Sequence, residues 1–220
     1  MAEWLERRKI MIKKNLKVLI ITSIIILLPM VAGLVLWNRL PEQVPFHWNA
    51  AGEIDGWASK PVAVFAPSAV MLALQWLCML VTSTDPKKQN HPQKVISLVL
   101  WLNPLLTVFI STLMYASALG GNVRVEMLIP ILLGVFFIAI GNYMPKCKQN
   151  YTIGIKIPWT LASEENWNKT HRFSSYVWVA GGFAMMLSGF LGGIWIFLGV
   201  AIVMVFVPLV YSYILHRKGI

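Results

Sequence analysis

Long runs without a charged residue alternate with short polar links along this chain. Four of the runs have about the length of a single membrane-spanning helix: 18–37, 61–84, 95–123 and 127–145. A helix needs about 20 predominantly apolar residues to cross the hydrocarbon core of a bilayer. A fifth run, 173–215, is about twice that long. It must therefore turn back, and its glycine-rich part at 188–193 is the candidate turn. The pattern predicts six spans.

Composition supports the membrane class. Charged residues make up 13% of the 220 residues, whereas soluble domains carry roughly 25%. An ordinary soluble protein is therefore excluded, and we predict an all-α, polytopic membrane protein with six transmembrane helices. The first run has a basic flank, as a signal peptide would. Its apolar part is too long for one and no small-x-small cleavage site follows, so we interpret it as a retained signal-anchor.

Basic residues are concentrated in every second link. With six spans, both termini and the links 85–94 and 146–172 lie on one side of the membrane. All but three of the 19 Lys and Arg residues fall on that side, the exceptions being Arg39, Lys60 and Arg124. Because cytoplasmic links carry the excess of Lys and Arg, we predict that the N- and C-termini are cytoplasmic. Topology then accounts for the net charge of +10 without a nucleic-acid partner.

The spans and links divide the chain into three parts. Residues 1–17 form a cytoplasmic basic N-terminus, 18–84 hold two spans and the outer loop 38–60, and 85–220 hold four spans and the cytoplasmic loop 146–172. Gln75 and Asn103 are the main polar side chains within the spans. We interpret both as packing residues, and expect Gln75 to form a hydrogen bond between helices. No Asp, Glu, Lys, Arg or His lies near the middle of a predicted span, which argues against ion-coupled transport.

The outer loop 38–60 is rich in residues that favour turns. Its Asn-Ala-Ala-Gly and Asp-Gly steps are turn sequences, and Trp48 and Trp57 suit the headgroup zone. The spacing of His47, Glu53 and Asp55 is typical of no metal site. The loop is either a compact turn between two spans or an outward face for a secreted ligand. The candidate ligand-binding residues are Pro45, His47, Asn49, Gly52, Asp55 and Gly56.

The cytoplasmic loop 146–172 ends with the sequence of a helix start. Ser163 is a candidate N-cap, and the two glutamates after it occupy the first turn, where the helix dipole favours anions. The helix would continue into the fifth span with Trp167, Thr170 and His171 on one face. We interpret the tryptophans as residues of the membrane interface and His171 as a headgroup or hydrogen-bonding residue.

The same loop also contains the residue types of an active site. Thr160, Ser163, Glu164, Glu165 and His171 supply the groups of a nucleophile, a base and an acid. Their spacing matches no nucleophile elbow, zinc helix or phosphate loop, so we predict no catalytic residues and no enzyme. The two cysteines lack metal-ligand spacing to another Cys or His. We therefore predict no metal site and no cofactor.

Two patterns in this order along the chain resemble known families. The outer pattern, Pro41-x-x-x-Pro45-x-His47-Trp48-Asn49-x-x-Gly52-x-x-Asp55-Gly56-x-x-x-Lys60, resembles the domain of unknown function DUF1648. The inner pattern, Asn150-x-x-x-Gly154-Ile155-Lys156-x-Pro158-Trp159-Thr160-Leu161 with a following Trp and Arg, resembles the SdpI family of Gram-positive bacteria. Lys156 stands where that family usually has Arg. It keeps the charge but loses the bidentate geometry.

The resemblance implies a function. The family's namesake protects a producing cell against a secreted peptide toxin. When the toxin is present, the namesake also holds an autorepressor at the membrane. We therefore expect a multi-pass protein of the bacterial plasma membrane, with a toxin at its outer loop and a winged-helix autorepressor at its cytoplasmic loop. The inner candidates, either docking residues or a structural lock, are Asn150, Gly154, Lys156, Pro158, Trp159, Thr160, Trp167, Thr170, His171 and Arg172. The alternative is a transporter or channel for a small molecule or lipid.

Overall fold

Helices dominate the fold, and a β-hairpin follows the first helix. The computed structural model describes residues 2–192 and 194–220, and for residues 2–9 and Lys88 the backbone alone. The elements in chain order are α1 (Ala2–Val35), β1 (Gln43–Trp48), β2 (Ile54–Ser59), α2 (Lys60–Thr84), α3 (Gln93–Ala118), α4 (Val125–Tyr143), α5 (Pro158–Ala162), α6 (Glu164–Leu191) and α7 (Ile194–Arg217). Short 3-10 turns occupy Lys88–Asn90 and Met144–Lys146.

Six segments in the described part of the chain are long and apolar enough to cross a membrane. They are Ile10–Val35, Lys60–Thr84, Gln93–Ala118, Val125–Lys146, Glu164–Leu191 and Ile194–Arg217. The predicted all-α class and six spans are thereby confirmed. Most of these helices extend past the uncharged runs into flanking charged residues.

The fifth apolar run divides into two helices near the predicted position. α6 ends at Leu191, and Gly192 adopts the left-handed conformation with φ of 67° while its N–H donates to the Ser188 carbonyl. Glycine is the residue that adopts this helix-ending conformation without a steric cost. Residues 188–191 of the predicted turn are still helical, and Gly193 lies outside the described residues.

The chain folds into two compact units. The first contains residues up to Ser83 together with Ser97–Val125, and the second contains Thr84–Ile96 and Glu126–Ile220. The first unit therefore holds α1, the hairpin, α2 and most of α3. The second holds the link after α2, the start of α3, and the chain from Glu126 in α4 onwards.

The first unit is held together by a small apolar core and by polar bonds between helices. Its core residues are Leu40, Val44, Ala63, Val64, Met114 and Tyr115. The Tyr115 hydroxyl donates to the Pro29 carbonyl at 3.1 Å. A Cβ at Gly33 would lie 2.6 Å from that hydroxyl, so glycine permits the approach. Gln75 Nε2 donates to Thr22 Oγ1 at 2.6 Å, which confirms its predicted role between helices.

In the second unit, α4 and α6 approach each other through glycines. A Cβ at Gly182 would meet the Gly134 carbonyl oxygen at 2.7 Å, and a Cβ at Gly134 would meet the Gly182 oxygen at 2.5 Å. Small residues let two helix backbones pack closely, which matters in a membrane because van der Waals packing drives helix association there.

The glycine contact gives a stability prediction. We expect Gly182→Val to destabilise the protein by roughly 1–3 kcal/mol, because overpacking forces the two backbones apart. The measurement is the thermal unfolding midpoint in detergent. Gly199→Val in α7 is the matched control, since a Cβ at Gly199 would meet nothing within 4 Å. Equal midpoints for the two variants would contradict the packing account.

Candidate functional site

The predicted outer loop contains a two-stranded antiparallel hairpin, residues 43–59, built around an asparagine turn. Asn49 Oδ1 accepts from the backbone N–H groups of Ala51 at 2.9 Å and Glu53 at 3.0 Å, and Asn49 Nδ2 donates to Glu53 Oε2 at 2.9 Å. Gly52 supplies the left-handed residue, with φ of 81°. The sequence correctly placed these turn residues but did not predict the strands.

The strands of the hairpin bring His47 opposite Gly56, beside a bulge in β1. A Cβ at Gly56 would lie 2.8 Å from the Cβ of His47, so only glycine fits there. His47 Nδ1 lies 2.6 Å from Asp55 Oδ1, and both side chains are exposed. Among the described residues, no three His, Cys, Asp or Glu side chains group as metal ligands.

The base of the hairpin is anchored to the first unit. Val44 and Pro45 are buried, and Val44 belongs to the apolar core. Lys60 donates its backbone N–H to the Glu42 carbonyl at 2.9 Å and its ammonium to Glu42 Oε1 at 2.8 Å. Of the six outer candidates, Pro45 is therefore a core residue, the asparagine and glycines shape the backbone, and His47 and Asp55 face the surroundings.

The predicted cytoplasmic loop, residues 146–172, is the motif segment. Its irregular part is closed by the side chain of Asn150, which is 1% exposed. Asn150 Nδ2 donates to the carbonyls of Lys148 at 2.8 Å and Ile153 at 2.9 Å. Asn150 Oδ1 accepts from the N–H groups of Thr152 and Ile153. One side chain thus satisfies four backbone groups.

His171 and Trp167 hold the next part of the loop against α6. The Ile155 N–H donates to His171 Nε2 at 3.0 Å, and His171 Nδ1 lies 2.8 Å from the Trp167 carbonyl. Nε2 therefore accepts and Nδ1 carries the proton, which is the neutral tautomer. The two rings stack at 4.1 Å, and Trp167 Nε1 donates to the Cys147 carbonyl at 2.7 Å. Gly154, with φ of 126°, leaves the room that this stack needs.

The interfacial interpretation of Trp167 was wrong, and of the two roles predicted for His171 the structure shows hydrogen bonding. Trp167 is 0% exposed and His171 is 1% exposed, so neither can face lipid headgroups. The shared face predicted for Trp167, Thr170 and His171 is correct, but it points into the protein. Both ring nitrogens of His171 are bonded to backbone, so this imidazole is not available as a base for Thr160 or Ser163.

The Pro-Trp-Thr-Leu stretch forms the short helix α5. Thr160 Oγ1 donates to the carbonyls of Ile155 and Ile157 at 2.8 and 2.9 Å and accepts from the Ile157 N–H. Trp159 stacks on His216 of α7 with ring centroids 5.8 Å apart. The next helix, α6, begins as predicted, because the Asn166 N–H donates to Ser163 Oγ at 3.1 Å.

Asn166 joins α6 to α7 and was missed by the sequence analysis. Its Nδ2 donates to the carbonyls of Ser212 at 3.0 Å and Ile220 at 3.1 Å. Its Oδ1 accepts from the hydroxyls of Thr170 and Ser212. Its position four residues before Thr170 places it on the same helix face. That spacing was the available signal.

The link between α2 and α3 carries a second missed feature, the buried carboxylate of Asp85. Asp85 Oδ2 accepts from the Tyr151 N–H at 2.9 Å, from Thr152 Oγ1 at 3.0 Å and from His91 Nε2 at 3.2 Å. Asp85 Oδ1 accepts from the Lys87 N–H at 2.7 Å. The side chains of Asp85 and His91 are 0% and 1% exposed. We call Asp85, His91, Asn150 and Thr152 the polar network.

The network fixes the charges of its two titratable members. Burial alone would raise the pKa of Asp85, but the hydrogen bonds from Lys87, Tyr151 and Thr152 and the nearby His91 lower it below its ordinary value. Burial lowers the pKa of His91 more than the Asp85 carboxylate raises it. The pair is therefore an ionised carboxylate that accepts a hydrogen bond from a neutral imidazole.

The polar network is arranged to hold backbone and not to relay a proton. In a nucleophile–histidine–carboxylate arrangement, the imidazole uses one nitrogen for the carboxylate and the other for the hydroxyl. Here His91 Nε2 faces both Asp85 Oδ2 and Thr152 Oγ1, the latter at 3.1 Å. The Thr152 hydroxyl therefore lacks the separate base that would activate it.

The remaining inner candidates lie at the surface of the second unit. Lys156 is exposed and donates to the Thr152 carbonyl at 2.9 Å. Pro158 and Arg172 are also exposed. The motif segment thus combines an exposed set, which includes the basic Lys156 and Arg172, with a buried set: Asn150, Thr160, Trp167, Thr170 and His171.

The polar network predicts a dependence of stability on pH. Because folding lowers the pKa of His91, its contribution is present above its ordinary pKa of 6.5 and is lost as pH falls below that value. Asp85, whose pKa is also lowered from 3.8, loses its contribution only at more acidic pH. We expect His91→Gln to have a shallower decline of the unfolding midpoint between pH 6.5 and 5 than the unchanged protein. Parallel declines would contradict this assignment.

Comparison with known proteins follows the same two regions. The family model SdpI/YfhL protein family matches residues 146–212, and the Domain of unknown function (DUF1648) matches residues 24–72. The chain is similar to "Immunity protein SdpI" of Bacillus subtilis (strain 168), with 33% identity over 203 residues, 91% of this chain and 92% of that protein. No solved structure matches the chain.

Proposed function

This chain belongs to the SdpI/YfhL protein family, and on that premise we propose that it is an immunity protein that protects its cell against a secreted peptide toxin. It is a multi-pass protein of the bacterial plasma membrane. The observation that carries the proposal is the similarity to an immunity protein along 91% of the chain. The bonding of the motif segment adds support, because its side chains serve backbone groups and leave no activated nucleophile.

The immunity proposal predicts gain of protection. We express this protein in a B. subtilis strain that lacks its own SdpI and grow the cells in the culture supernatant of the parent strain. Survival should rise to that of the parent strain. The measurement is the number of surviving colonies. The control is an unrelated six-span protein at equal membrane abundance. Unchanged survival at confirmed membrane levels would refute immunity against that toxin.

We further propose that the exposed part of the motif segment docks a cytoplasmic winged-helix autorepressor. Lys148, Lys156 and Arg172 are exposed, and Tyr151, between the two lysines in the sequence, is 49% exposed. We call Lys148, Lys156 and Arg172 the basic rim. Exposed positive charges favour a partner with an acidic surface through electrostatic complementarity. The buried part of the segment would act as the lock that keeps this rim in place.

The lock also offers a route from the membrane helices to the rim. Asn166 bonds to the end of α7, Trp159 stacks on His216 of α7, and His171 holds Ile155. A shift of α7 against α6 would therefore disturb the loop that presents the basic residues. Toxin sensing and repressor binding would then be coupled through one bonded segment.

Docking predicts a charge-specific loss of recruitment. In B. subtilis cells that express a fluorescent fusion of the namesake's autorepressor, Lys156→Glu with Arg172→Glu should release the fluorescence from the membrane. The matched control is Lys13→Glu with Lys14→Glu, two exposed lysines of α1. The measurement is the membrane-bound fraction at equal protein abundance. Recruitment that survives the first pair, or is lost equally with the second, would refute docking at this rim.

A further inference from the structure

An apolar groove of about 310 Å³ opens in the first unit between α2 and α3. Phe46 of the hairpin closes one side, Ala66, Pro67 and Val70 of α2 form one wall, and Ile110 of α3 lies on the other. Its volume is at the low end of the roughly 300–1,000 Å³ of ligand pockets. The groove thus has room for bulky apolar side chains or part of a hydrocarbon chain.

The lining of the groove is almost entirely apolar. The proline at position 67 has no backbone N–H to offer. Thr107 is part of the lining, but its hydroxyl already donates to the Asn103 carbonyl at 2.8 Å. Ala66 to Val70 lie about 9–15 Å along α2 from Lys60, at 1.5 Å per residue. The groove is therefore in the half of a roughly 30 Å hydrocarbon core that adjoins the hairpin.

The hairpin region beside the groove has a small excess of negative charge, although the whole chain carries +10. Residues 38–60 contain three carboxylates, Glu42, Glu53 and Asp55, against Arg39 and Lys60. The Glu42 side chain, which pairs with Lys60, is 87% exposed, and the Asp55 side chain, which contacts His47, is 45% exposed. Exposed aromatic side chains, Phe46 at 42% and Trp57 at 57%, lie in the same hairpin.

We propose that the groove and the hairpin form the toxin-binding site, and that its occupant is a cationic amphipathic peptide. This proposal rests on the proposed immunity function. The apolar face of the peptide fills the groove, and its Lys or Arg residues meet the carboxylates of the hairpin. Membrane-active peptides commonly have these two faces.

The charges of the hairpin distinguish this occupant from a lipid. Acyl chains are as apolar as the groove, so apolar filling alone does not select a peptide over lipid. The exposed carboxylates of the hairpin would repel the headgroup of an anionic phospholipid beside it. A cationic peptide gains attraction at the same place.

The test joins survival with direct binding. Ala66→Trp fills the groove, and Leu74→Trp is the matched control, an exposed position of α2 outside the groove. A photo-crosslinking benzoyl-phenylalanine replaces Phe46, and the probe is the toxin peptide purified from the B. subtilis culture supernatant. We expect Phe46→benzoyl-phenylalanine to crosslink the peptide. We expect Ala66→Trp to lose both the crosslink and protection, and Leu74→Trp to keep both.

The outcomes separate the site from the function. If the unchanged protein protects cells but Ala66→Trp protects equally, or position 46 crosslinks only lipid, the groove proposal is overturned and immunity stands. If the unchanged protein does not protect, the crosslink still decides the site. A peptide crosslink that Ala66→Trp abolishes supports the groove without immunity, and no peptide crosslink refutes it.

A second arm tests the carboxylates. Glu53→Gln with Asp55→Asn should weaken peptide binding about tenfold at low salt, with a smaller effect at high salt because exposed charges are screened. Glu53→Asp with Asp55→Glu keeps both charges and should bind as the unchanged protein does. Equal affinity of the neutralised variant at low salt would overturn the role of the hairpin's charge.

Discussion

Backbone groups of an irregular loop that packs inside a protein must all find partners, and the motif segment is organised by this requirement. An unpaired buried N–H or carbonyl costs about as much as a lost hydrogen bond. The loop before α5 lacks helical bonds, so side chains supply the partners instead. Asn150 serves four backbone groups, Asp85 serves the N–H groups of Lys87 and Tyr151, and His171 serves that of Ile155.

The residues that give the segment its family resemblance are therefore largely the ones that complete this bonding. Gly154 is required by the space that His171 and Trp167 occupy, and Thr160 closes the turn into α5. The exposed residues between them set the surface charge of the segment, and their side chains can differ without breaking the bonds that hold the loop. This division separates what maintains the fold from what a partner would meet.

The sequence predicted those features that depend on local pattern. Six apolar lengths, the Ser163 cap and the turn at Asn49 and Gly52 each depend on residues close together in the chain. The strands of the hairpin escaped prediction because they are short and their signal is weak beside the turn residues. Trp167 was misplaced because tryptophan suits both an interface and an interior, and composition does not say which face of a helix is covered.

The features that were missed depend on distant partners. Asp85 looked like part of a polar link because its partners, Tyr151 and Thr152, arrive from another segment. Asn166 looked like an ordinary helical residue because its partners lie on α7 and beyond. A helix period identifies a shared face, but only the fold says what that face meets.

The position of Asp85 also sets an order for synthesis. Its backbone partner Tyr151 is 66 residues further along the chain, which a ribosome at 5–20 residues per second takes roughly 3–13 s to reach. During that interval the first spans exist, while the carboxylate still lacks its partners Tyr151 and Thr152. The link before α3 can therefore reach its final structure only after α4 and the loop that contains Tyr151 have been synthesised. Packing of the second unit is completed late in synthesis.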